Sequence, residues 1–179
     1  MKIGILGAGG IAVQMAKTVA GMKDVENYAV AARSFERAQA FAEKYGFSKA
    51  YGSYEEMLAD PQVDLVYIAT PHSEHYANVK MCLMKDKPVL CEKAFTANAV
   101  QAEELIFLAK ERNIFLAEAM WTRYMPMLTT IREVLGSGVI GEPKTLTANL
   151  GYVINGVERL TSPQLAGGAL LDVGVYPLN

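Results

Sequence analysis

A chain of 179 residues, 51% hydrophobic and 20% charged, is long enough to bury the core of about one domain and too apolar for disorder. Seventeen Lys and Arg against 19 Asp and Glu leave a formal net charge of −2, which gives no support to a nucleic-acid partner. No stretch approaches the ~18–20 apolar residues of a membrane span, and the N-terminal apolar run is broken by Gly4, Gly7, Gly9 and Gly10, unlike a signal peptide. Two cysteines, Cys82 and Cys91, make neither a disulfide framework nor a metal site and read as inert core thiols. The expected location is the cytoplasm, with no membrane partner.

In chain order, Lys2 to Leu6 is a short apolar strand that ends in Gly7-Ala8-Gly9-Gly10. A helix follows, with Ile11, Met15, Val19 and Met22 spaced as its stripe. A second strand covers Tyr28 to Ala32. Ser34 then caps a helix through Tyr45 with Ala38 and Phe41 on one face, and Ser53 with Glu56 opens a short helix over 54–59. Val63 to Thr70 is nearly continuous in apolar residues, as suits a parallel strand covered on both faces. A helix from about Ser73 to Met84, a strand at Pro88 to Cys91, a helix capped by Asn98 with Ala102, Leu105, Ile106 and Ala109 buried, and a strand at Ile114 to Glu118 complete the alternation. Strand and helix in turn to about residue 120 predict an α/β fold, a doubly wound parallel sheet. After that the rhythm changes. A helix over Pro126 to Leu135, a half-buried antiparallel strand over Lys144 to Val153 and a last apolar segment from Gly167-Gly168 read as the start of a second, α+β domain at 121–179. Met81, Met84, Met120, Met125 and Met127 read as core fillers.

Gly7-Ala8-Gly9-Gly10-Ile11-Ala12 is a G-x-G-x-x-A pattern between a strand and a helix, the context that makes it a dinucleotide site. Gly7 permits the tight turn, Gly9 lets the backbone approach a pyrophosphate, Ala12 allows close helix packing, and the helix N-terminus supplies N–H donors. NAD sites place a carboxylate ~20 residues beyond the glycines. Here the second strand ends Ala32-Arg33-Ser34 with Arg37 one turn on, which suits the 2′-phosphate of NADP better than the free ribose of NAD, although two solvated arginines are the bland alternative.

Thr70-Pro71-His72 lies at the carboxyl edge of the sheet, where ligands of such folds sit. His72 and His75, the only histidines, have no third metal ligand, so they read as nicotinamide-side or packing residues and no metal is expected. Glu92-Lys93 follows a buried strand at the same edge. Asp172 and Tyr176 stand four apart and share a side if their segment is helical, a reading that Pro177 disfavours. A Lys93 ammonium nearby would make Tyr176 a usable general acid/base for a carbinol. Trp121 and Arg123 either close over a cofactor or pack the domain junction.

Together these residues resemble the Gfo/Idh/MocA oxidoreductases, over essentially the whole chain. The resemblance rests on Gly7-x-Gly9-x-x-Ala12, Thr70-Pro71-His72-x-x-His75, Cys91-Glu92-Lys93 and the run Gly167 to Tyr176. Glu118 to Pro126 narrows it to the branch of dimeric dihydrodiol and NADP-dependent sugar dehydrogenases. It implies a Rossmann domain at 1–120, followed by a substrate domain with a mostly antiparallel sheet. It also implies Lys93, Tyr176 and Asp172 as catalytic residues, with Arg33, Arg37, Trp121 and Arg123 at the cofactor. Ala94 stands where the family has proline, and members run well beyond 179 residues, so the chain is expected to be truncated in its second domain, exposing apolar surface. The implied activity is NADP-dependent hydride transfer at a carbinol or carbonyl of a sugar or trans-dihydrodiol, in a homodimer when full-length. Two rivals remain: a non-catalytic dinucleotide-binding regulator, and an NADP-binding fragment without turnover.

Overall fold

The computed structural model describes residues 1–154 and 156–179. Six parallel strands, β1 (Lys2–Leu6), β2 (Glu26–Ala31), β3 (Lys49–Tyr51), β4 (Leu65–Ile68), β5 (Val89–Cys91) and β6 (Leu116–Glu118), form one sheet in the order β3-β2-β1-β4-β5-β6. Helices α1 (Gly10–Ala20), α2 (Phe35–Tyr45), α3 (Tyr54–Leu58), α4 (His72–Met84) and α5 (Ala99–Glu111) connect them. The strand order reverses between β1 and β4, and a crevice opens there outside the carboxyl ends. Register makes that edge level: Leu6 pairs with Ala31 and with Ile68, Ile68 with Cys91, and Cys91 with Glu118. Whatever follows each strand therefore emerges at one height.

Side-chain alternation divides the core. Ile3, Ile5, Val30 and Tyr67 pack on one face against Ala12, Ala16 and Val19 of α1 and Phe41 and Ala42 of α2. Leu6, Val66, Ile68, Val89 and Cys91 pack on the other against Met57 and Leu58 of α3, Val79 and Leu83 of α4 and Leu105 of α5. The caps are as expected: Ser34, Ser53 and Asn98 each accept a hydrogen bond from a first-turn N–H. Burial pushes the Cys82 thiol up to about 12 and raises Cys91 well above its ordinary value, so both are inert.

Several elements differ from the sequence pattern. The buried stripe of α1 is Ala12, Ala16 and Val19, while Ile11 and Met22 are exposed, because the close approach of α1 to the sheet admits only small side chains near the glycine turn. In α5 Leu105 and Ala109 are buried and Ile106 is exposed. Met84, Met125 and Met127 are exposed rather than core. Strand β3 is only three residues and has no sequence signature.

Beyond β6 come a 3-10 turn (Trp121–Tyr124), α6 (Pro126–Gly136), α7 (Glu158–Thr161), a 3-10 turn (Pro163–Leu165), a π turn (Leu170–Gly174) and α8 (Val175–Leu178). The antiparallel strand expected over 144–153 is not formed: those residues are irregular and Leu146 and Val153 lie open. A strand needs a neighbour for its N–H and C=O groups, and no described residue supplies one. The helical reading of the last segment holds in spite of Pro177: the π turn runs directly into α8, so Asp172 and Tyr176 both reach the sheet edge.

Candidate active site

A cavity of about 1070 Å³ opens at the carboxyl edge. Its floor is the turn after β1. Gly7 has φ +99°, and a Cβ there would stand 2.8 Å from the Ala69 carbonyl oxygen, so glycine is required. Gly9 and Gly10 face open space, and Gly9 caps α1 without any side-chain hydrogen bond. The orphan N–H groups of the first turn are thus left for an outside acceptor. Ala8, Ile11, Arg33 and Arg37 also line the cavity. Neither arginine has a carboxylate partner among the described residues. Open glycines, unspent helix donors and two unpaired guanidiniums fit the pyrophosphate and 2′-phosphate of NADP.

The far wall carries Thr70, Pro71, His72, Glu92, Lys93, Trp121, Asp172 and Tyr176. Lys93 Nζ donates to Asp172 Oδ1 at 3.0 Å and to the Asp172 backbone oxygen at 2.6 Å, and lies 5.1 Å from the centroid of the Tyr176 ring. Arg159 Nη1 donates to the same Oδ1 at 3.1 Å. Burial alone would raise the Asp172 pKa, but hydrogen bonds from Lys93 and Arg159 reverse that and hold the carboxyl below its usual range. Trp121 Nε1 donates to the Tyr176 hydroxyl at 3.1 Å, with the rings edge to face at 5.9 Å. Burial, with His75 and Lys93 nearby, lowers the His72 pKa, so this wall carries a neutral imidazole at pH 7.

Behind the wall the strand ends are braced. The Glu92 carboxylate accepts from the Tyr67 hydroxyl and from the Lys93 N–H. Glu118 Oε1 accepts from the Phe95 N–H at 2.9 Å, and Asn78 Nδ2 donates to Thr70 Oγ1 at 3.0 Å. His75 is fully buried, its Nδ1 2.8 Å from the Ala94 oxygen and its Nε2 3.0 Å from the Thr70 oxygen. It joins the segments after β4 and β5 and does not face the cavity. Ala94, where proline was expected, is thereby held by a side chain.

Four expected contact residues lie outside the cavity lining. Besides His75, Ala12 is buried against the sheet, Ser34 is committed to the cap of α2, and Arg123 is turned to Asn179 Oδ1. Each has a packing or capping role, and the sequence does not separate such a role from a ligand role one residue away. Among the lining residues that the sequence did not single out are Tyr54 and Arg159. Tyr54 stands at the start of α3, just beyond the unrecognised β3. Arg159 sits on α7, and no spacing connects it to Asp172 before the fold is known.

The family model described as "Oxidoreductase family, NAD-binding Rossmann fold" (GFO_IDH_MocA) matches residues 1–119. The chain belongs to this family. It is 42% identical to a D-xylose 1-dehydrogenase (NADP(+)) of Hypocrea jecorina, over 100% of this chain and 51% of that enzyme. It is 41% identical to a trans-1,2-dihydrobenzene-1,2-diol dehydrogenase of Mus musculus, over 98% of this chain and 54% of that one. Among solved structures it resembles KijD10, a 3-ketoreductase from Actinomadura kijaniata in complex with NADP and TDP-benzene, with TM-score 0.86 and 30% identity over 99% of this chain and 55% of that one. The chain spans about half the length of the curated relatives it matches.

Proposed function

We propose that this chain carries the cofactor site and the proton-transfer centre of an NADP-dependent oxidoreductase acting on a CH–OH group of a sugar or a trans-dihydrodiol. The observation that carries the reading is Lys93, hydrogen-bonded to Asp172 and lying against the Tyr176 ring, in the cavity that also holds the glycine turn and the two free guanidiniums. The relatives support the same chemistry by name.

When bound, NADP supplies the hydride acceptor or donor. Gly7, Gly9, Gly10 and the first turn of α1 hold its phosphates, and Arg33 and Arg37 hold the 2′-phosphate. Asp172 fixes the Lys93 ammonium, which orients the substrate oxygen and stabilises the negative charge that gathers there. On reduction the Tyr176 O–H gives its proton to the substrate oxygen, and on oxidation the phenolate form takes the hydroxyl proton. Its oxygen already accepts from Trp121, which leaves its own O–H free to turn to the substrate. We place the protein in the cytoplasm, consistent with two free buried cysteines, and among the described residues no helix is long and apolar enough to cross a membrane. A homodimer of the full-length form is the proposed assembly.

The test is absorbance at 340 nm with NADP and a panel of pentoses and trans-diols, on wild type and Tyr176→Phe. Turnover by wild type, with kcat reduced at least about a hundredfold and NADPH affinity kept in the variant, is expected. Equal rates for the two proteins would remove Tyr176 from the reaction.

A further inference from the structure

Around Asp172 the polar groups are not all spent. Its Oδ1 takes both cations, Lys93 at 3.0 Å and Arg159 at 3.1 Å, while its Oδ2 has no hydrogen-bond partner among the described residues. Arg159 makes one hydrogen bond there, through one nitrogen of a guanidinium that carries five N–H donors in a rigid fork. Its side chain is 49% exposed, and both residues line the cavity. A carboxylate oxygen in want of a donor thus lies beside a guanidinium in want of acceptors, next to the Lys93 ammonium.

We infer that Arg159 and Asp172 Oδ2 form a subsite for a second substrate oxygen, on the carbon next to the one that reacts. This rests on the proposed reaction and deepens it: it assigns to Arg159 the selection of substrates that carry an oxygen on the neighbouring carbon. The argument is geometric and chemical. Lys93 and Arg159 reach the same carboxylate oxygen, so they are immediate neighbours. An oxygen held by Lys93 places the oxygen of an adjacent carbon beside Arg159. A hydroxyl both donates and accepts. Asp172 Oδ2 accepts a hydrogen bond from it and Arg159 donates to its lone pairs, so the pair satisfies a hydroxyl and leaves a CH₂ in the same place facing an acceptor and donors without partners. A sugar and a trans-1,2-diol, the two substrate types proposed above, share this arrangement of neighbouring oxygens and little else.

The test compares trans-cyclohexane-1,2-diol with cyclohexanol, which differ by the second hydroxyl, as substrates with NADP. It uses wild type, Arg159→Met and Arg159→Lys, and follows binding of each alcohol to the NADPH complex by Trp121 fluorescence. Wild type is expected to prefer the diol in kcat/KM by about tenfold to a hundredfold. R159M should bring that ratio close to one, and R159K, which keeps the charge without the fork, should restore part of it. Equal losses on both alcohols, or a diol preference that survives in R159M, would show Arg159 to be a structural partner of Asp172 and overturn the subsite. Should R159M not fold, R159K alone decides by the drop in the ratio. If wild type binds NADPH but oxidises neither alcohol, the proposed reaction fails and the binding arm still decides. Diol binding weakened by either Arg159 variant with cyclohexanol binding unchanged supports the subsite, and equal weakening of both overturns it. Diol binding unchanged in both variants, or absent in wild type, overturns it.

Discussion

Two buried carboxylates sit on opposite sides of the sheet's length and are treated in opposite ways. Asp60, before β4, accepts from Lys49 Nζ at 2.7 Å, the Tyr51 hydroxyl at 2.7 Å, the Tyr28 hydroxyl at 3.0 Å and the Gln62 N–H at 2.9 Å. Burial opposes its ionisation, yet these donors hold its carboxyl far below the usual range. Both of its oxygens are spent, and it ties β2 and β3 to the loop that enters β4. Asp172 takes two cations on one oxygen and leaves the other unspent towards a cavity. A saturated buried charge belongs to the scaffold; an unsaturated one at the edge of a cavity is equipped for a ligand. The same contrast separates the two parts of the chain. Residues before 120 bury a continuous apolar core on both sheet faces. Among the described residues after 120, Asp172 alone is buried. At Asp172 the second part is joined to the first by an ion pair.

The largest test of that contrast is Asp172→Ala. It leaves Lys93 and Arg159 without their shared partner, and breaking such a pair costs about 3 kcal/mol. The segment carrying Tyr176 should come away from the sheet edge while the sheet stays folded. Limited proteolysis should then cut beyond residue 120 much faster than in wild type, with far-UV circular dichroism of the sheet kept. Acid should do the same without mutation. The Asp172 pKa is lowered in the folded protein, so its contribution is complete above the ordinary 3.8 and is lost as pH falls through the lower folded value. Asp60 is held lower still, so Trp121 emission should change at a higher pH than the one at which the sheet unfolds. Simultaneous loss of both signals would deny the two-part description.

Gly7→Ala comes next. Positive φ and a 2.8 Å approach to the Ala69 oxygen make it cost about 2 kcal/mol, read by urea unfolding, together with loss of NADPH binding. Arg33→Ala or Arg37→Ala should weaken NADPH by about tenfold each and leave NADH unchanged, measured by titration, since only the 2′-phosphate contact is removed. The smallest effect is Asn98→Ala. Loss of the α5 cap costs about 1 kcal/mol of sheet-domain stability in the same urea assay, with no change in NADPH affinity, because α5 does not line the cavity.

How much was legible in advance divides along the same line. Alternating apolar runs, three cap residues and the glycine turn specify the Rossmann half, because each signal is local and agrees with the others. β3 escaped, since three residues paired on one side leave no periodicity. The stripe of α1 was misread because hydrophobicity favoured Ile11 and Met22, whereas proximity to the sheet selects Ala12 and Ala16. In the second part the alternation of Leu146, Ala148 and Leu150 is a pattern for a strand, but a strand is a relation between segments and none of the described residues pairs with it. At the site, Lys93, Asp172 and Tyr176 were legible through their family motifs. Arg159 was not, because its contact with Asp172 depends on how α7 folds back, which no local spacing encodes.

The proposed NADP site sets the glycine turn, Arg33 and Arg37 in one cavity with Trp121 and Tyr176. Its most direct test is a titration of the chain with NADPH and with NADH, following Trp121, the single tryptophan. NADPH should quench the emission and bind at least about tenfold more tightly than NADH. Absence of binding by either, or equal affinity for both, would rule out this NADP site.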